Sequence, residues 1–464
     1  KMHEQAERLF RIYVGKEPNK AEGYNNLGGV LRDEGKFDSS IEILRGAIYR
    51  LPEEPQLWNS LASVVMETPE ISQARVFLEE ALRLNPDFAR AYHNLGYLLN
   101  HIGPIDESLA AYDRALSLPL PVDDRVEVEH ARAICLFHLG RLKDAFKQWH
   151  VRTEPRYKPA PFYTFNLPEW RGESLAGKQI LLVAEQGLGD EIMFANAVPD
   201  LISEVQPGGR AIIACTPRLV ELFGRSFPQA MIGPYQDFKR AERAYRNIPW
   251  LDRAGPIAFY SPFGSTLEYR RTDISAFDNR PALLKADLDK VAYWRGKLET
   301  LGPGPYVGLS WKSLIMQAKR AKFYTPISMW KPILEVPGVN FVNLQYGDCA
   351  ADIAEAERLF GVPIHNFSEL DLRNDLDGNA ALCSALDLMI TAPNAASAIA
   401  GGVGTEVWFI TLCEVWPQLG TDRMPWYPKS QVFVPDTFGD FANGLARAGE
   451  ALRVRVERHR TNTA

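Results

Sequence analysis

A basic excess and long apolar runs are both missing from this chain, and each shortage removes a class of function. Its 464 residues carry 52 Lys and Arg against 58 Asp and Glu, a net charge of -6, so there is no cationic field to attract a nucleic-acid backbone. No apolar run approaches the roughly 18 residues that a membrane helix needs. We therefore expect neither nucleic-acid binding nor membrane insertion.

Histidine and closely spaced cysteine are also scarce. Of eight histidines only His365 falls between residues 160 and 455, so a Ser-His-Asp or Cys-His centre there would depend on one side chain. The five cysteines are too far apart for paired metal ligands or a disulfide framework. We expect no metal site and a reducing, cytoplasmic location. The chain opens on KMHEQAERLF, already a helical pattern, so we expect its natural N-terminus to be missing.

An internal repeat of 34 residues runs through residues 1–155. Its positions are Tyr24, Leu27, Gly28, Ala47 and Pro52, then Trp58, Leu61, Ala62, Ala81 and Pro86, then Tyr92, Leu95, Gly96 and Ala115. This period is typical of the tetratricopeptide repeat (TPR), whose unit is a helical hairpin. We predict an α-helical solenoid of three full repeats between a half repeat and a degenerate last one.

Polar side chains precede the Leu-Gly position of each repeat and are expected on the concave face of the solenoid. They are Asn25, Asn26, Asn59, His93 and Asn94. An amide offers both a donor and an acceptor to an extended peptide, so these residues are candidates for binding a protein acceptor. The alternative is that they are simply solvated.

After a Pro- and aromatic-rich connector at 156–177, short apolar strands alternate with helical stretches, which predicts α/β architecture with parallel sheets. The strands form two groups separated by a helix and a turn-rich LGPGP segment. We predict two facing Rossmann-like domains, at 178–302 and 303–464. In such domains ligands bind at the carboxyl ends of the strands.

The first strand end is EQGLGDE, where Gly187 and Gly189 form a tight turn before a helix. The segment lacks the third glycine of a dinucleotide fingerprint and its later acidic residue, which disfavours an NAD enzyme. Asp190 or Glu191 stands at the helix start and is a candidate general base. The alternative for Asp190 is capping of the helix.

Two further strand ends carry donor-site candidates. Lys312 follows Trp311 directly after a strand, whereas the run Lys319, Arg320 and Lys322 is favoured as a solvated surface. At the third strand end, a helix of small residues could bind phosphate through its open N-terminus or could simply pack closely on the sheet. Its first residues are Pro393, Asn394, Ala395 and Ser397.

Five blocks in order carry a resemblance to a known group. The blocks PEWRGESLAGKQILLVAEQGLGDEIMFA, VGLSWKS, FVNLQYGD, NAALCSALDLMIT and PWYP resemble bacterial TPR proteins fused to a heptosyltransferase-like glycosyltransferase of the GT-B type. The layout is similar to the O-linked N-acetylglucosamine transferases, and Asn26 and Asn94 match that family's peptide-binding asparagines. Among bacterial members the chain looks most like flagellin glycosyltransferases that attach nonulosonic (pseudaminic or sialic-like) acids.

The resemblance implies metal-independent transfer from a nucleotide-activated sugar, with no other cofactor. Asp190 matches the proposed base, Lys312 falls in a phosphate-contacting block and Asn394 in the donor-binding turn. Relatives commonly have Asp-Thr, with His four residues on, where this chain has Pro393, Asn394 and Ala398. A different donor, such as a CMP-linked acidic sugar, would explain this departure, and so would lost activity.

The predicted function is therefore inverting O-glycosylation of Ser or Thr in a protein such as flagellin, which the repeats recruit. Asp190 or Glu191 takes the hydroxyl proton, and Lys312 with the helix start at Asn394 stabilises the departing phosphate. Trp311, Gln345 and Tyr346 are expected to shape the nucleotide pocket. Two alternatives stay open: a glycosyltransferase acting on lipopolysaccharide, and a non-catalytic TPR scaffold.

Overall fold

The computed structural model describes residues 2–241, 243–277, 282–313 and 322–463, the last five by their backbone alone. These residues form two compact units. The first contains the chain up to Leu139 together with residues 322–323 and Thr437–Gly439, and the second contains the remainder. The domain limits at residues 155, 177 and 302 stay predictions.

The first unit is a series of helices joined by short turns. They are α1 Met2–Lys16, α2 Ala21–Asp33, α3 Phe37–Arg50, α4 Pro55–Val65, α5 Ala74–Leu84, α6 Ala89–Ile102, α7 Ile105–Ser117 and α8 Val122–His138. The pairs α2/α3, α4/α5 and α6/α7 are the three predicted full repeats, and α1 is the half repeat before them. The expectation of a helical TPR array is confirmed.

Equivalent hydrogen bonds recur from repeat to repeat because the 34-residue period places the same groups together. The Ser40 hydroxyl donates to the carbonyl of Gly28 at 2.8 Å, and Ser108 donates to Gly96 at 2.7 Å. These bonds join the two helices of a hairpin at the point where a small residue permits close approach. The repeat is therefore stabilised by buried polar contacts as well as by its apolar core.

Two short segments from far along the chain also belong to the first unit. The Lys322 ammonium donates to the Glu67 carboxylate at 2.9 Å and to the Met66 carbonyl at 3.0 Å. The rings of Phe323 and Phe438 each lie 6.3 Å from the imidazole of His101, near the end of α6. The expectation that Lys322 is solvated is wrong, because only 15% of its side chain is exposed.

The second unit begins with the last predicted repeat helix, α9 Leu142–Trp149. Its first half contains a parallel sheet in the order β4-β3-β2-β7 and a small sheet in the order β1-β6-β5. The strands are β1 Phe162–Tyr163, β2 Gln179–Val183, β3 Arg210–Cys215, β4 Met231–Pro234, β5 Gln236–Arg240, β6 Arg243–Asn247 and β7 Phe259–Pro262. The helices are α10 Leu188–Phe194, α11 Val198–Glu204, α12 Val220–Ser226 and α13 Phe263–Arg270.

The second half is a six-stranded parallel sheet. Its strands are β8 Tyr306–Ser310, β9 Asn340–Asn343, β10 Ile364–His365, β11 Leu388–Thr391, β12 Val407–Ile410 and β13 Ser430–Phe433. The helices of this half are α14 Leu288–Glu299, α15 Lys331–Leu334, α16 Ala350–Phe360, α17 Leu376–Ala385, α18 Ala395–Gly402 and α19 Phe441–Thr463.

The order β10-β9-β8-β11-β12-β13 reverses direction between β8 and β11, which is the topology of a doubly wound Rossmann sheet. The four-stranded sheet, in the order β4-β3-β2-β7, has the same reversal between β2 and β7 but fewer strands. The predicted fold class, a TPR solenoid followed by two Rossmann-like domains of the GT-B type, is confirmed. Ligand sites in such sheets lie beyond the carboxyl ends of the strands at the reversal point.

Among the described residues, no helix is both long and apolar enough to cross a bilayer. The same residues contain no cluster of three or more His, Cys, Asp and Glu side chains that could ligate a metal ion. All five cysteines are buried with free thiols.

Candidate functional site

The turn between β2 and α10 carries the first group of predicted site residues. Gly187 is the N-cap of α10, and its N–H donates to the Asp190 carboxylate at 3.0 Å. Asp190 thus bonds to an otherwise unsatisfied donor at the helix start, as the capping alternative requires. Because Asp190 is half-buried rather than enclosed, capping and contact with a ligand are compatible.

Glu191 has different surroundings from its neighbour. Its side chain is 1% exposed, and it accepts hydrogen bonds from the Tyr235 hydroxyl and, at 3.0 Å, from the Thr216 N–H. Burial raises the pKa of Glu191 to about 7, although both hydrogen bonds act to lower it. The side chain therefore lies inside the first half of the unit, against the ends of β3 and β4.

The start of α18 carries the second group. The Asn394 side-chain oxygen accepts the Ser397 N–H at 3.1 Å, and the Asn394 N–H donates to the Ser397 hydroxyl oxygen at 3.1 Å, which makes a reciprocal capping box. The Asn394 amide also donates to the Ser310 hydroxyl at 2.8 Å, which connects the helix start to the end of β8. Pro393 and Ala395 flank this residue and are half-buried.

Gln345 organises the loop that follows β8. Its side-chain carbonyl accepts the backbone N–H groups of Trp311 at 3.0 Å and Lys312 at 2.9 Å, and the Ser310 hydroxyl at 3.1 Å. Gln345 is almost fully buried, whereas Tyr346 beside it is half-buried. Gln345 thus acts on the loop after β8 by holding the backbone of Trp311 and Lys312 in place.

The Lys312 side chain is paired with a carboxylate. Its ammonium forms an ion pair with the Asp352 carboxylate, which also accepts the Trp311 indole N–H at 3.0 Å. Both Lys312 and Asp352 keep about a quarter of their side chains exposed, so an incoming phosphate could compete for the ammonium. Asp352 was not predicted, since nothing local marks a residue inside α16 as a partner of the loop after β8.

The two helix starts lie against each other. A Cβ added at Gly189 would be 3.5 Å from the Ala395 Cα and 3.7 Å from the Asn394 carbonyl oxygen. Each helix start carries N–H groups without a partner inside its own helix and a partial positive charge. The fold therefore brings the predicted base and the predicted phosphate-binding turn together, in surroundings that favour an anion.

Tyr427, from the PWYP block, packs against the C-terminal end of α18. A Cβ at Gly401 of α18 would lie 2.5 Å from its ring, so the helix and the tyrosine need a glycine between them. Burial raises the pKa of Tyr427, and the Asp190 carboxylate adds to this rise. The effect of Asp190 indicates that PWYP forms part of the surroundings of the predicted base, a role that the sequence alone did not give it.

The predicted groove residues of the repeats have varied environments. Asn26 is exposed beside a cavity of about 240 Å³ that Tyr13 also lines, and the buried carbonyl oxygen of Asn25 has no hydrogen-bond partner in the described residues. The Asn94 amide donates to the Asn59 carbonyl at 2.8 Å, so these two side chains bond to each other. Burial lowers the pKa of His93 to about 4, which keeps its ring neutral.

Two of the predicted basic residues, Lys319 and Arg320, lie outside the described residues. His365, the only histidine between residues 160 and 455, is half-buried on β10, a strand at one edge of its sheet and separated from β8 by β9.

Comparisons with known proteins identify the repeats and one relative of nearly the whole chain. Residues 70–120 and 21–53 match the tetratricopeptide repeat family. Protein FlbA of Caulobacter vibrioides is 38% identical over 452 residues, which are 97% of this chain and 76% of that protein. Protein O-mannosyl-transferase TMTC1 of Homo sapiens is 33% identical over 118 residues, 25% of this chain and 13% of that protein.

A solved structure of a glycosyl transferase overlaps part of the chain loosely. The glycosyl transferase family 9 structure from Veillonella parvula superposes with a TM-score of 0.45 and 9% identity, over 62% of this chain and 100% of that one.

Proposed function

The chain belongs to the family of Protein FlbA, and from the geometry of its site we propose that it is a glycosyltransferase acting on a protein acceptor. The observation that carries the proposal is the close approach of the α10 start to the α18 start, where a Cβ added at Gly189 would lie 3.5 Å from the Ala395 Cα. One helix start presents a carboxylate, and the other presents N–H groups without charged competitors in its first turn. Transfer from a phosphate-activated sugar needs both.

The donor phosphate would bind on the α18 side. Small residues at the start of α18 permit close approach of its backbone N–H groups, and Lys312 supplies a cation on the loop after β8. Ser310 and Asn394 connect these two elements, so phosphate bound by one would be oriented by the other. A CMP-linked nonulosonic acid would fit a site in which Pro393 and Asn394 replace the usual acidic residue and Ala398 the usual imidazole.

Asp190 would act as the general base. Its carboxylate would take the proton of an acceptor Ser or Thr hydroxyl while that oxygen attacks the anomeric carbon and the bond from this carbon to the phosphate oxygen breaks. The released nucleotide phosphate would keep its negative charge beside Lys312 and the α18 start. We assign this role to Asp190 rather than Glu191, because Glu191 is buried and already accepts two hydrogen bonds.

The repeats would recruit the acceptor protein, which we propose to be a flagellin. Asn25 and Asn26 are the groove residues most available to a peptide, since Asn59 and Asn94 bond to each other. Two other functions remain as outcomes of the test: transfer to lipopolysaccharide, and a scaffold that binds without catalysis.

The experiment compares sugar-nucleotide turnover by the wild type and Asp190→Asn, with flagellin or lipopolysaccharide as acceptor. We expect the substitution to lower kcat by about 100-fold or more, since the neutral amide cannot take a proton. Asp289→Asn changes an exposed aspartate in the first turn of α14 and is the control that should keep full activity.

Each other outcome has a definite meaning. Background turnover by the wild type with every donor would favour the scaffold. Turnover with lipopolysaccharide alone would reassign the acceptor. Full activity in Asp190→Asn would refute the proposed base. Thermal shifts with CMP, UDP, GDP and ADP would identify the nucleotide, because a ligand that binds only the folded protein raises its melting temperature.

A further inference from the structure

The turn that leads to Asp190 has a backbone conformation that requires support. Gln186 has φ of 62°, in the left-handed region that side chains other than glycine rarely adopt. It lies between Glu185, two residues after the end of β2, and Gly187, the N-cap of α10. Such a conformation persists only where the surrounding structure determines it. Two buried arginines from other elements contact this turn.

The first arginine is Arg152, in the turn that directly follows α9. Its guanidinium donates to the Glu185 carboxylate at 2.5 Å, and both residues are only 3% exposed. The same carboxylate oxygen accepts the Gly264 N–H at 2.8 Å, and the guanidinium lies 3.8 Å from the ring centre of Trp149. The position of Glu185 is therefore determined by charge, hydrogen bonding and packing together.

Gly264 makes this arrangement possible. A Cβ there would lie 2.5 Å from the Arg152 guanidinium nitrogen and 2.9 Å from the Glu185 carboxylate oxygen. Any other residue would displace the ion pair. The start of α13 is therefore shaped around Arg152 and Glu185.

The second arginine is Arg246, on β6. It donates to the backbone carbonyl of Ala184, the residue before Glu185, and its guanidinium lies 3.7 Å from the ring centre of Tyr235. The Arg246 Nε–H donates to the Asp237 carboxylate at 2.8 Å, and this carboxylate pairs with the positive charge of the guanidinium. Since the Tyr235 hydroxyl donates to Glu191, Arg246 contacts the turn at one end and orders a partner of α10 at the other.

We propose that Arg152 and Arg246 are positioning residues that fix the turn at residues 184–187 and, through it, the direction of the Asp190 carboxylate. Both arginines would act through other residues of the protein and not by contact with a substrate, because both guanidinium groups are buried. Arg152 is paired with Glu185, and Arg246 is paired with Asp237. A buried ion pair contributes little net stability compared with an apolar pair, so a role in geometry accounts better for the cost of burying these charges. The catalytic consequence rests on the proposed function, whereas the structural consequence for the turn does not.

The test removes the buried pair as a whole. Arg152→Met alone would leave the Glu185 charge buried and unpaired, so it is combined with Glu185→Gln, which still accepts the Gly264 N–H. We expect kcat to fall about 10- to 100-fold while KM for the donor changes less than about twofold, because displacing a reacting group by about 1 Å costs up to about 100-fold. The control is the paired variant Arg455→Met with Glu406→Gln. Arg455 lies on α19 and Glu406 lies just before β12, and their partly exposed side chains make a 2.6 Å contact.

Hydrogen–deuterium exchange of the wild type and both paired variants supplies a readout that does not need activity. We expect amides of residues 184–191 to exchange at least about tenfold faster in the Arg152 and Glu185 variant, with the rest of the unit and the melting temperature little changed. Unchanged exchange and unchanged kcat would overturn the proposal. A large fall in melting temperature with faster exchange throughout the unit would also overturn it, because the pair would then be structural. Faster local exchange in a protein that transfers no sugar would keep the positioning role and refute the proposed function.

Discussion

Asp190 and Glu191 are adjacent in sequence, yet their carboxylates have opposite environments. Successive residues of a helix point about 100° apart, so Asp190 turns back to the helix start while Glu191 turns into the core. The first accepts the Gly187 N–H and stays half-buried. The second is enclosed, and its pKa is raised to about 7 by burial. A general base must reach its substrate, which favours Asp190.

Glu191→Gln tests the buried environment through stability. In the unfolded chain this carboxyl ionises near its ordinary pKa of 4.5, whereas in the folded protein it stays protonated up to about 7. The folded state therefore binds more protons between these values, so Glu191 lowers the free energy of unfolding as pH rises through this window, by about 3 kcal/mol above it. The variant should lose this pH dependence. Urea unfolding at pH 4 to 8 gives the free energy of unfolding of each protein as a function of pH. The same pH dependence in the wild type and the variant would contradict the prediction.

Asp352→Asn tests whether Lys312 is available to a phosphate. The Asp352 carboxylate competes with any anionic ligand for the Lys312 ammonium, and the amide that replaces it carries no charge. We expect nucleotide affinity to increase by about two- to tenfold, a difference typical of a partly exposed ion pair. Isothermal titration with the nucleotide chosen by thermal shift gives the affinity. Lys312→Met should weaken binding, and equal affinity in all three proteins would remove Lys312 from the site.

At the scale of the element, helices in the repeats approach closely only where a small residue faces the neighbouring helix. A Cβ at Gly28 would lie 3.0 to 3.1 Å from the end of the Leu44 side chain, which can adjust. A Cβ at Gly96 would lie 2.7 to 2.9 Å from the ring of Tyr112, which is almost completely buried. The same repeat position therefore tolerates extra volume differently in different hairpins.

Alanine at these two glycines gives a matched comparison. Gly96→Ala should lower the free energy of unfolding by about 2 kcal/mol, because a rigid buried ring has to move. Gly28→Ala should be close to neutral, since alanine's higher helix propensity offsets a small clash. Circular dichroism during thermal unfolding compares the two. Equal destabilisation would show that the contact with Tyr112 is not the cause.

At the scale of the whole molecule, the two Rossmann-like halves of the second unit are joined by specific bonds. The N–H groups of Leu283 and Leu284 both donate to the Gly402 carbonyl, at 2.9 and 2.8 Å. Asp377 on α17 pairs with Arg225 on α12, and at 2.7 Å with Lys290 on α14. The Leu283 and Leu284 bonds and the Arg225–Asp377 pair connect the half that carries Asp190 to the half that carries Asn394, whereas Lys290 and Asp377 both belong to the second half.

Asp377→Asn should weaken this connection. Arg225 and Lys290 keep the pKa of Asp377 low in spite of its burial, so the folded protein favours the ionised form. Removing the charge takes away the nearest carboxylate of both cations. We expect a loss of about 1 to 2 kcal/mol, less than for a fully buried pair, because both cations are partly exposed and Glu221 remains 3.5 Å from Arg225 and 3.7 Å from Lys290. Urea unfolding of the full chain measures it. Asp436→Asn, in an exposed pair with Arg447, should cause no measurable change, and an equal effect of both would contradict the prediction.

Local patterns were sufficient for the architecture, whereas the place of the site stays a prediction. The 34-residue period predicted the helical hairpins. The glycine turn after β2 predicted the helix start at Gly187, and Pro393 with Asn394 after β11 predicted the helix start at Asn394. The topology of parallel sheets then brings such turns to the same edge. The small sheet of β1, β5 and β6 was missed, because its strands are short and β5 is exposed along its whole length, without alternation.

By itself the sequence determined the repeat and the α/β order, and it marked the turns that are candidates for binding a ligand, because these features depend on residues close together in the chain. The tertiary structure alone decided that Glu191 is enclosed, that Lys312 pairs with Asp352 and that Arg152 reaches Glu185. Those outcomes depend on which elements pack together and how each side chain is turned there. Burial and pairing of charge are properties of that packing, so they enter only when residues distant in sequence become neighbours.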